Sequence, residues 1–242
     1  MLRIKNIIGF SFFGIYIVVM MSFVNVAYNE TYCNAIDIVI KDSISTRFVQ
    51  KNDVMHILQA GDFGILSKVP SEINLHTIEN EIKGHSSIRD CDCFFLSNGT
   101  LRIDVSQRRP IARVITNDYN FYIDEVGREM PPSSFYTAHV PIITGNVTKE
   151  IVGTDLFRIA DLIHNDSFLE AQIEQINVTS DGEYVLIPRA GRQTIELGDA
   201  ENLEIKFKSL KALYLQIFNK NAWNKYKTIS LKYDGQVVCT KK

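Results

Sequence analysis

The sequence predicts an α+β protein: a single N-terminal transmembrane helix, a β-α-α-β-β module, and a mixed β-rich domain with flanking helices. Three observations carry this expectation. Residues 7–28 hold no charged side chain. Between residues 35 and 107, two short helical stretches separate a first strand from an Asn-Gly hairpin. Beyond Pro110, apolar runs of strand length recur between turn residues, interrupted by two amphipathic helical segments.

The apolar run comes first. At about 1.5 Å per residue, a helix over residues 7–28 spans the roughly 30 Å hydrocarbon core of a bilayer. Arg3 and Lys5 precede it, and Glu30 is the first charge after it. The positive-inside tendency then leaves residues 1–6 as a short cytoplasmic tail and sends the rest across the membrane. A cleaved signal peptide is the competing reading. Its apolar core usually covers only ~7–15 residues and ends at a small-x-small site. Asn25-Val26-Ala27-Tyr28-Asn29 offers no such site. The expectation is an uncleaved anchor in the lipid bilayer.

A compact module follows over residues 35–107. Ile36, Ile38 and Ile40 alternate with Asp37, Val39 and Lys41, the period of a strand. Asn52-Asp53 caps a helix that places Val54, Ile57 and Leu58 on one face. After a loop at Pro70, Asn74 caps a second helix with the stripe Leu75, Ile78 and Ile82, ending at Gly84. Cys91 to Leu96 and Leu101 to Ser106 then flank Ser97-Asn98-Gly99-Thr100, the strongest short-range hairpin signal.

Pro110 ends the hairpin ladder, and a second domain is expected over residues 108–239, with 240–242 as a tail. Ile111 to Thr116 and Asn120 to Ile123 read as strands around an Asn117-Asp118 turn, and Asp124 to Gly127 turns again. Asp155 to His164 reads as a helix aligning Leu156, Ile159, Ala160 and Ile163. Ile173 to Thr179, Tyr184 to Ile187 and Thr194 to Leu197 are strands. A long helix from about Ala200 carries Leu203, Phe207, Leu210, Leu213, Leu215 and Phe218. Thr228 to Cys239 is expected as one terminal strand region.

Composition narrows the function classes. The 242 residues are 45% hydrophobic and 22% charged, with a net charge of −2, so a packed core is expected and no broad basic face invites nucleic acid. Cys33, Cys91, Cys93 and Cys239 are too sparse for a disulfide scaffold. Cys91 and Cys93 share a strand face, but no second CxC, CxxC or HxxxH completes a metal set. No metal and no cofactor are therefore expected. No GxSxG, HExxH, SxxK or P-loop pattern occurs, so no catalytic residue is nominated and the chain is not expected to be an enzyme. Asp124-x-x-Gly127 is turn chemistry. His85 and His139 have no carboxylate or cysteine at ligand spacing.

In this order the motifs resemble a known family. His85-Ser86-Ser87-Ile88-Arg89-Asp90-Cys91 sits where the bacterial cell-division FtsQ/DivIB family has a His-Pro-x-Val-like step. Gln107-Arg108-Arg109-Pro110-Ile111-Ala112 is similar to its Glu-Arg-x-Pro-x-Ala junction. Phe121-Tyr122-Ile123-Asp124-Glu125-Val126-Gly127 resembles its hydrophobic-Asp-x-x-Gly turn, and Val140-Pro141-Ile142-Ile143-Thr144-Gly145 its Leu-Pro-x-Ile-x-Gly step. Leu231-Lys232-Tyr233-Asp234-Gly235 resembles the terminal strand with which such proteins hold a partner. Gln107 and Ser86 replace the usual Glu and Pro. The form looks closest to that of the Bacteroidetes.

The resemblance implies that the small module is a POTRA domain and the second an FtsQ/DivIB-type β domain. It implies a non-enzymatic scaffold in the bacterial inner membrane at the division septum, linking early and late division proteins. Its partners would be FtsB/DivIC-like and FtsL-like single-pass proteins, with other divisome proteins on the POTRA-like module. The expected contact residues are Ile229, Leu231, Lys232, Tyr233, Asp234 and Gly235, with Tyr233 as anchor, because aromatic residues dominate interface hot spots. The alternatives are a POTRA-containing envelope assembly or secretion component, or a membrane-anchored hydrolase.

Overall fold

The structure, a computed structural model, describes residues 12–21, 32–42, 46–217, 225–233 and 235–242. The chain divides into two compact units, Met1–Gln107 and Arg108–Lys242. Within the apolar run, residues 12–21 are helical with exposed side chains. Among the described residues no helix is long and apolar enough to cross a membrane, and the remainder of the expected 7–28 span lies outside them.

The first unit is built from β1 (Ala35–Ile40), α1 (Lys51–Ala60), α2 (Leu75–Lys83), β2 (Ile88–Phe95) and β3 (Thr100–Gln107). Its three strands lie in the order β1-β3-β2. β3 is central, parallel to β1 and antiparallel to β2. Alternation along β3 buries Leu101, Ile103 and Val105 completely and leaves Arg102 and Asp104 on the other face. Val54 of α1 and Ile78 and Ile82 of α2 are buried in the same unit. Each such side chain contributes about 1.5–3 kcal/mol relative to exposure.

Local chemistry sets the ends of these elements. α1 begins at Lys51 through a capping box: Gln50 and Asp53 exchange backbone and side-chain hydrogen bonds, including Gln50 N–H to Asp53 Oδ2 at 2.7 Å. The expected Asn52-Asp53 cap is therefore shifted, with Asp53 acting from the third helical position. Asn74 caps α2 as expected, its Oδ1 accepting from Thr77 N–H at 3.2 Å. A single 3₁₀ turn, Pro70–Glu72, precedes it. Gly99 turns the hairpin at φ +80°.

The second unit contains β4 (Pro110–Ile115), β5 (Asn120–Asp124), β6 (Glu129–Met130) and β7 (Ile142–Gly145). A helical segment, Lys149–Ile151, passes through a π-turn at Val152–Leu156 into α3 (Phe157–His164). Then come α4 (Ser167–Gln172), β8 (Ile173–Val178), β9 (Tyr184–Pro188), β10 (Thr194–Gly198), α5 (Leu203–Ile217), β11 (Tyr226–Ser230) and β12 (Val238–Lys241). The strands form one sheet in the order β12-β11-β10-β9-β8-β7-β4-β5-β6. β4/β7, β7/β8 and β10/β11 pair in parallel, each joined by a longer connection. The core runs through Ile111, Val114, Ile143, Ile176, Leu186 and Ile229 of the strands. From the helices it takes Leu156, Ile159, Ile163, Leu203, Phe207 and Leu210.

Pro110 stands at the first position of β4, where a missing N–H removes no interior ladder bond. Asp124, almost fully buried, ties the next turn: its Oδ1 accepts from Val126 N–H at 3.0 Å and Arg128 N–H at 2.8 Å. This is the turn chemistry expected of Asp124-x-x-Gly127.

Candidate partner-binding edge

Thr228 to Cys239 is not one strand. β11 ends at Ser230, residues 231–237 form a connection, and β12 runs back antiparallel beside β11. Inside the connection, Gln236 N–H bonds the Tyr233 carbonyl at 3.2 Å, with Gly235 at φ +68°. An Asp-Gly pair is a hairpin signal, and the sequence Asp234-Gly235 offered one that the strand expectation passed over. Both sides of β11 are occupied, by β10 and β12. The outer strand of the sheet at this end is therefore β12, not the segment around residues 231–235.

The six nominated residues accordingly separate. Ile229 and Leu231 are buried in the core, at 0% and 2% exposure, so their side chains do not face a partner. Leu231 N–H extends the parallel ladder by bonding Glu196 O at 2.8 Å. Lys232 reaches across to an ion pair with Glu183, and that carboxylate raises its ammonium above the usual lysine value. Tyr233 is 58% exposed and Gly235 is exposed. Asp234 lies outside the described residues. Tyr233 also borders a shallow cleft against α5, shared with Ile205, Ser209 and Gln236.

β12 is the feature that sequence reasoning missed. In an antiparallel pair, alternate residues turn their N–H and C=O toward the neighbour and the others turn them away. Lys242 N–H bonds Lys225 O at 3.2 Å, so it points inward to the β11 side. Counting back along β12, Thr240 and Val238 also face β11, while Cys239 and Lys241 present their backbone groups outward. Among the described residues no strand pairs with that outward side. Two other edges are less open to addition. β6 spans two residues, and on β2 the Cys93 N–H is taken by Glu79 Oε1 at 2.8 Å.

Among the described residues no group of three or more His, Cys, Asp or Glu side chains is placed to hold a metal. Cys91 and Cys93 share a buried face of β2 with Sγ atoms 3.9 Å apart. The Cys91 contact and burial together push the Cys93 thiol well above its ordinary range. His139 Nε2 lies 2.8 Å from Arg189 Nη1, an exposed pairing with no carboxylate in it.

A β-α-α-β-β unit and a second unit built on a nine-stranded mixed sheet place the chain in the class of two-unit α+β proteins. Residues 31–106 match the POTRA-like domain model, and residues 109–240 match the model described as FtsQ/DivIB, C-terminal related. The chain belongs to the FtsQ/DivIB family, and its role is in cell division. A solved structure, the major extracytoplasmic domain of the trans isomer of the bacterial cell division protein DivIB from Geobacillus stearothermophilus, is similar at a TM-score of 0.32 and 15% identity. That likeness covers 47% of this chain and 96% of that one. The family assignment rests on the two domain models. No curated protein matches the chain.

Proposed function

We propose that the chain is a non-enzymatic divisome scaffold that links early and late division proteins at the septum. Its partners are FtsB/DivIC-like and FtsL-like single-pass proteins. Residues 7–28 hold it in the cytoplasmic membrane, with residues 35–107 and 108–239 acting outside the cytoplasm. The observation that carries the reading is the open β12 edge. An extended partner segment pairs with Cys239 and Lys241 there, gaining affinity from backbone hydrogen bonds and specificity from alternating side chains. Lys232, Tyr233 and Gly235 sit in the connection leading into that edge, with Tyr233 as the exposed aromatic contact, and Asp234 is assigned to the same contact set. Ile229 and Leu231 support it from the core side.

The test uses the full-length chain in membranes, with capture of FtsB/DivIC-like and FtsL-like proteins as the readout. Cys239→Pro removes one outward N–H while leaving the inward β11 pairing intact, which an edge strand tolerates. Capture is expected to fall at least about tenfold in this variant, an affinity loss of ~1.4 kcal/mol. Tyr233→Ala should weaken capture without lowering thermal stability. Undiminished capture by a folded Cys239→Pro chain would move the site to the POTRA-like unit.

A further inference from the structure

We infer that the β12 edge selects an extended segment rich in acidic side chains, and that its lysines disfavour edge-to-edge pairing with a second copy of this chain. The inference rests on the edge reading above and adds to it the chemistry of the occupant.

The chain as a whole carries a net charge of −2, yet its last stretch is one-sided. Across residues 218–242 the acidic residue is Asp234, while Lys220, Lys225, Lys227, Lys232, Lys241 and Lys242 all fall there. Lys232 is tied to Glu183. Lys225, Lys227, Lys241 and Lys242 are exposed on the β11/β12 hairpin; Lys225 Nζ lies 5.9 Å from the Tyr226 ring centroid, and among the described residues none of the four meets a carboxylate. Lys225 and Lys242 are backbone neighbours, joined by the 3.2 Å bond between them. Outside this stretch, four lysines among the described residues are paired with carboxylates, as in Lys83 with Asp90 at 2.8 Å and Lys211 with Asp166 at 2.7 Å. Lys51, Lys149 and Lys208 are exposed without an ion pair, but these are scattered along the chain and not gathered on one hairpin.

Like charges on one hairpin without carboxylate partners repel, and an incoming strand changes that balance in one of two ways. A segment bearing Glu or Asp beside its pairing residues supplies the missing counter-charges. A second β12 brings the same lysines against one another, and like charges directly opposite across strands destabilise pairing. Lysine on an edge strand is a known guard against self-association. Anionic lipid headgroups satisfy the same charges, but they have no backbone to meet the outward groups of Cys239 and Lys241. The combination of donors and charge therefore favours an acidic peptide strand.

The test places the full-length chain in zwitterionic nanodiscs and titrates two labelled synthetic peptides by fluorescence anisotropy. Both carry one Val-Thr alternating centre, flanked by glutamates in one and by lysines in the other. The glutamate peptide is expected to bind at least about tenfold tighter, with the advantage shrinking as salt is raised. The advantage should vanish when Lys225, Lys227, Lys241 and Lys242 are all changed to Gln. Cys239→Pro should abolish binding of the glutamate peptide. Equal affinities, or no binding of either peptide, overturn the inference. Undiminished binding to Cys239→Pro overturns it too, since charge would then act without strand pairing. Loss of the preference in nanodiscs of anionic lipid would reassign the lysines to headgroups. If division-protein capture is lost in Cys239→Pro but unchanged by the four Gln substitutions, the edge reading stands and this inference falls. If capture survives both changes, the edge reading itself has failed.

Discussion

Gln107 Oε1 accepts a hydrogen bond from the Val49 amide at 2.8 Å, while its Nε2 donates to the Thr46 carbonyl at 2.8 Å. The side chain is fully buried and uses the two different ends of an amide at once. It fastens the end of β3 to the segment that enters α1. A carboxylate can accept from Val49 but cannot donate to Thr46 unless it is protonated. Gln107→Glu should therefore destabilise the unit by about 1–3 kcal/mol near neutral pH. The sign with pH follows from burial. The introduced carboxyl stays neutral when folded and ionises when unfolded, so its folded pKa is raised. Stability relative to the parent chain should be best in acid and fall as pH rises past the ordinary glutamate range. Thermal unfolding of the full chain in detergent across pH measures this, and a penalty independent of pH would refute it.

Asp166 should give the opposite slope. It caps α4 through Phe168 N–H at 2.9 Å and Leu169 N–H at 3.2 Å, and Lys211 Nζ lies 2.7 Å from its other oxygen. The Lys211 contact first, and these amides next, hold its carboxyl below the usual aspartate value. The group thus contributes stability that is present above the unfolded aspartate pKa and is lost as pH falls through the folded one. Asp166→Ala is expected to cost about 1 kcal/mol. Lys211→Met should flatten the acid limb of the melting-temperature profile, and an unchanged limb would show that the pair contributes nothing there.

Gly145 closes β7 at φ +94°, and a Cβ there would sit 2.0 Å from the Val178 carbonyl oxygen. Gly145→Ala should therefore exceed the ~1–3 kcal/mol of an unfavourable backbone region alone. Gly182 also has positive φ, at +79°, but a Cβ meets nothing within 4 Å. Gly182→Ala should cost only about 1–2 kcal/mol. Denaturant midpoints of the two variants should differ in that order, and equal midpoints would contradict it.

Thiol chemistry should discriminate the cysteines by position. Cys91 and Cys93 are buried and in mutual contact, which keeps the Cys93 thiol protonated, while Cys239 is half-buried on the edge strand. Alkylation of the native chain, followed by peptide mass analysis, should label Cys239 well before Cys91 or Cys93. Binding of a strand partner should slow labelling of Cys239. Prior labelling of Cys91 would mean that the β2 face opens in the native state.

What the sequence disclosed followed from how local each signal is. The Asn98-Gly99 hairpin, the Asn74 cap and the buried stripe Ile78 and Ile82 depend on neighbours within a few residues, and each stands where expected. The FtsQ/DivIB resemblance was readable because its motifs mark turns and strand ends in fixed order. α4 was missed because Asp166 caps only six residues, Ser167–Gln172, too few to show a helical period. The π-turn at Val152–Leu156 was missed because its extra backbone residue has no side-chain signature. The site was least legible of all. Alternation at Ile229, Leu231 and Tyr233 suggested one continuous strand. Which strand lies outermost depends on parallel pairing of β10 with β11 across α5, a contact that periodicity does not encode. Leu215 had the spacing of a core residue yet is 61% exposed on α5, and Phe218 lies outside the described residues.

The parallel pairing of β1 with β3 has a mechanical consequence. Ala35 lies opposite Thr100, and Ile40 lies opposite Val105. A pull on the chain ahead of Ala35, opposed by one on the chain beyond Gln107, drags the two strands past each other along their length. Load is then shared by the whole ladder in shear, and its bonds must yield together instead of unzipping one by one. A unit loaded in these two directions therefore resists as a whole until the β1/β3 ladder fails at once.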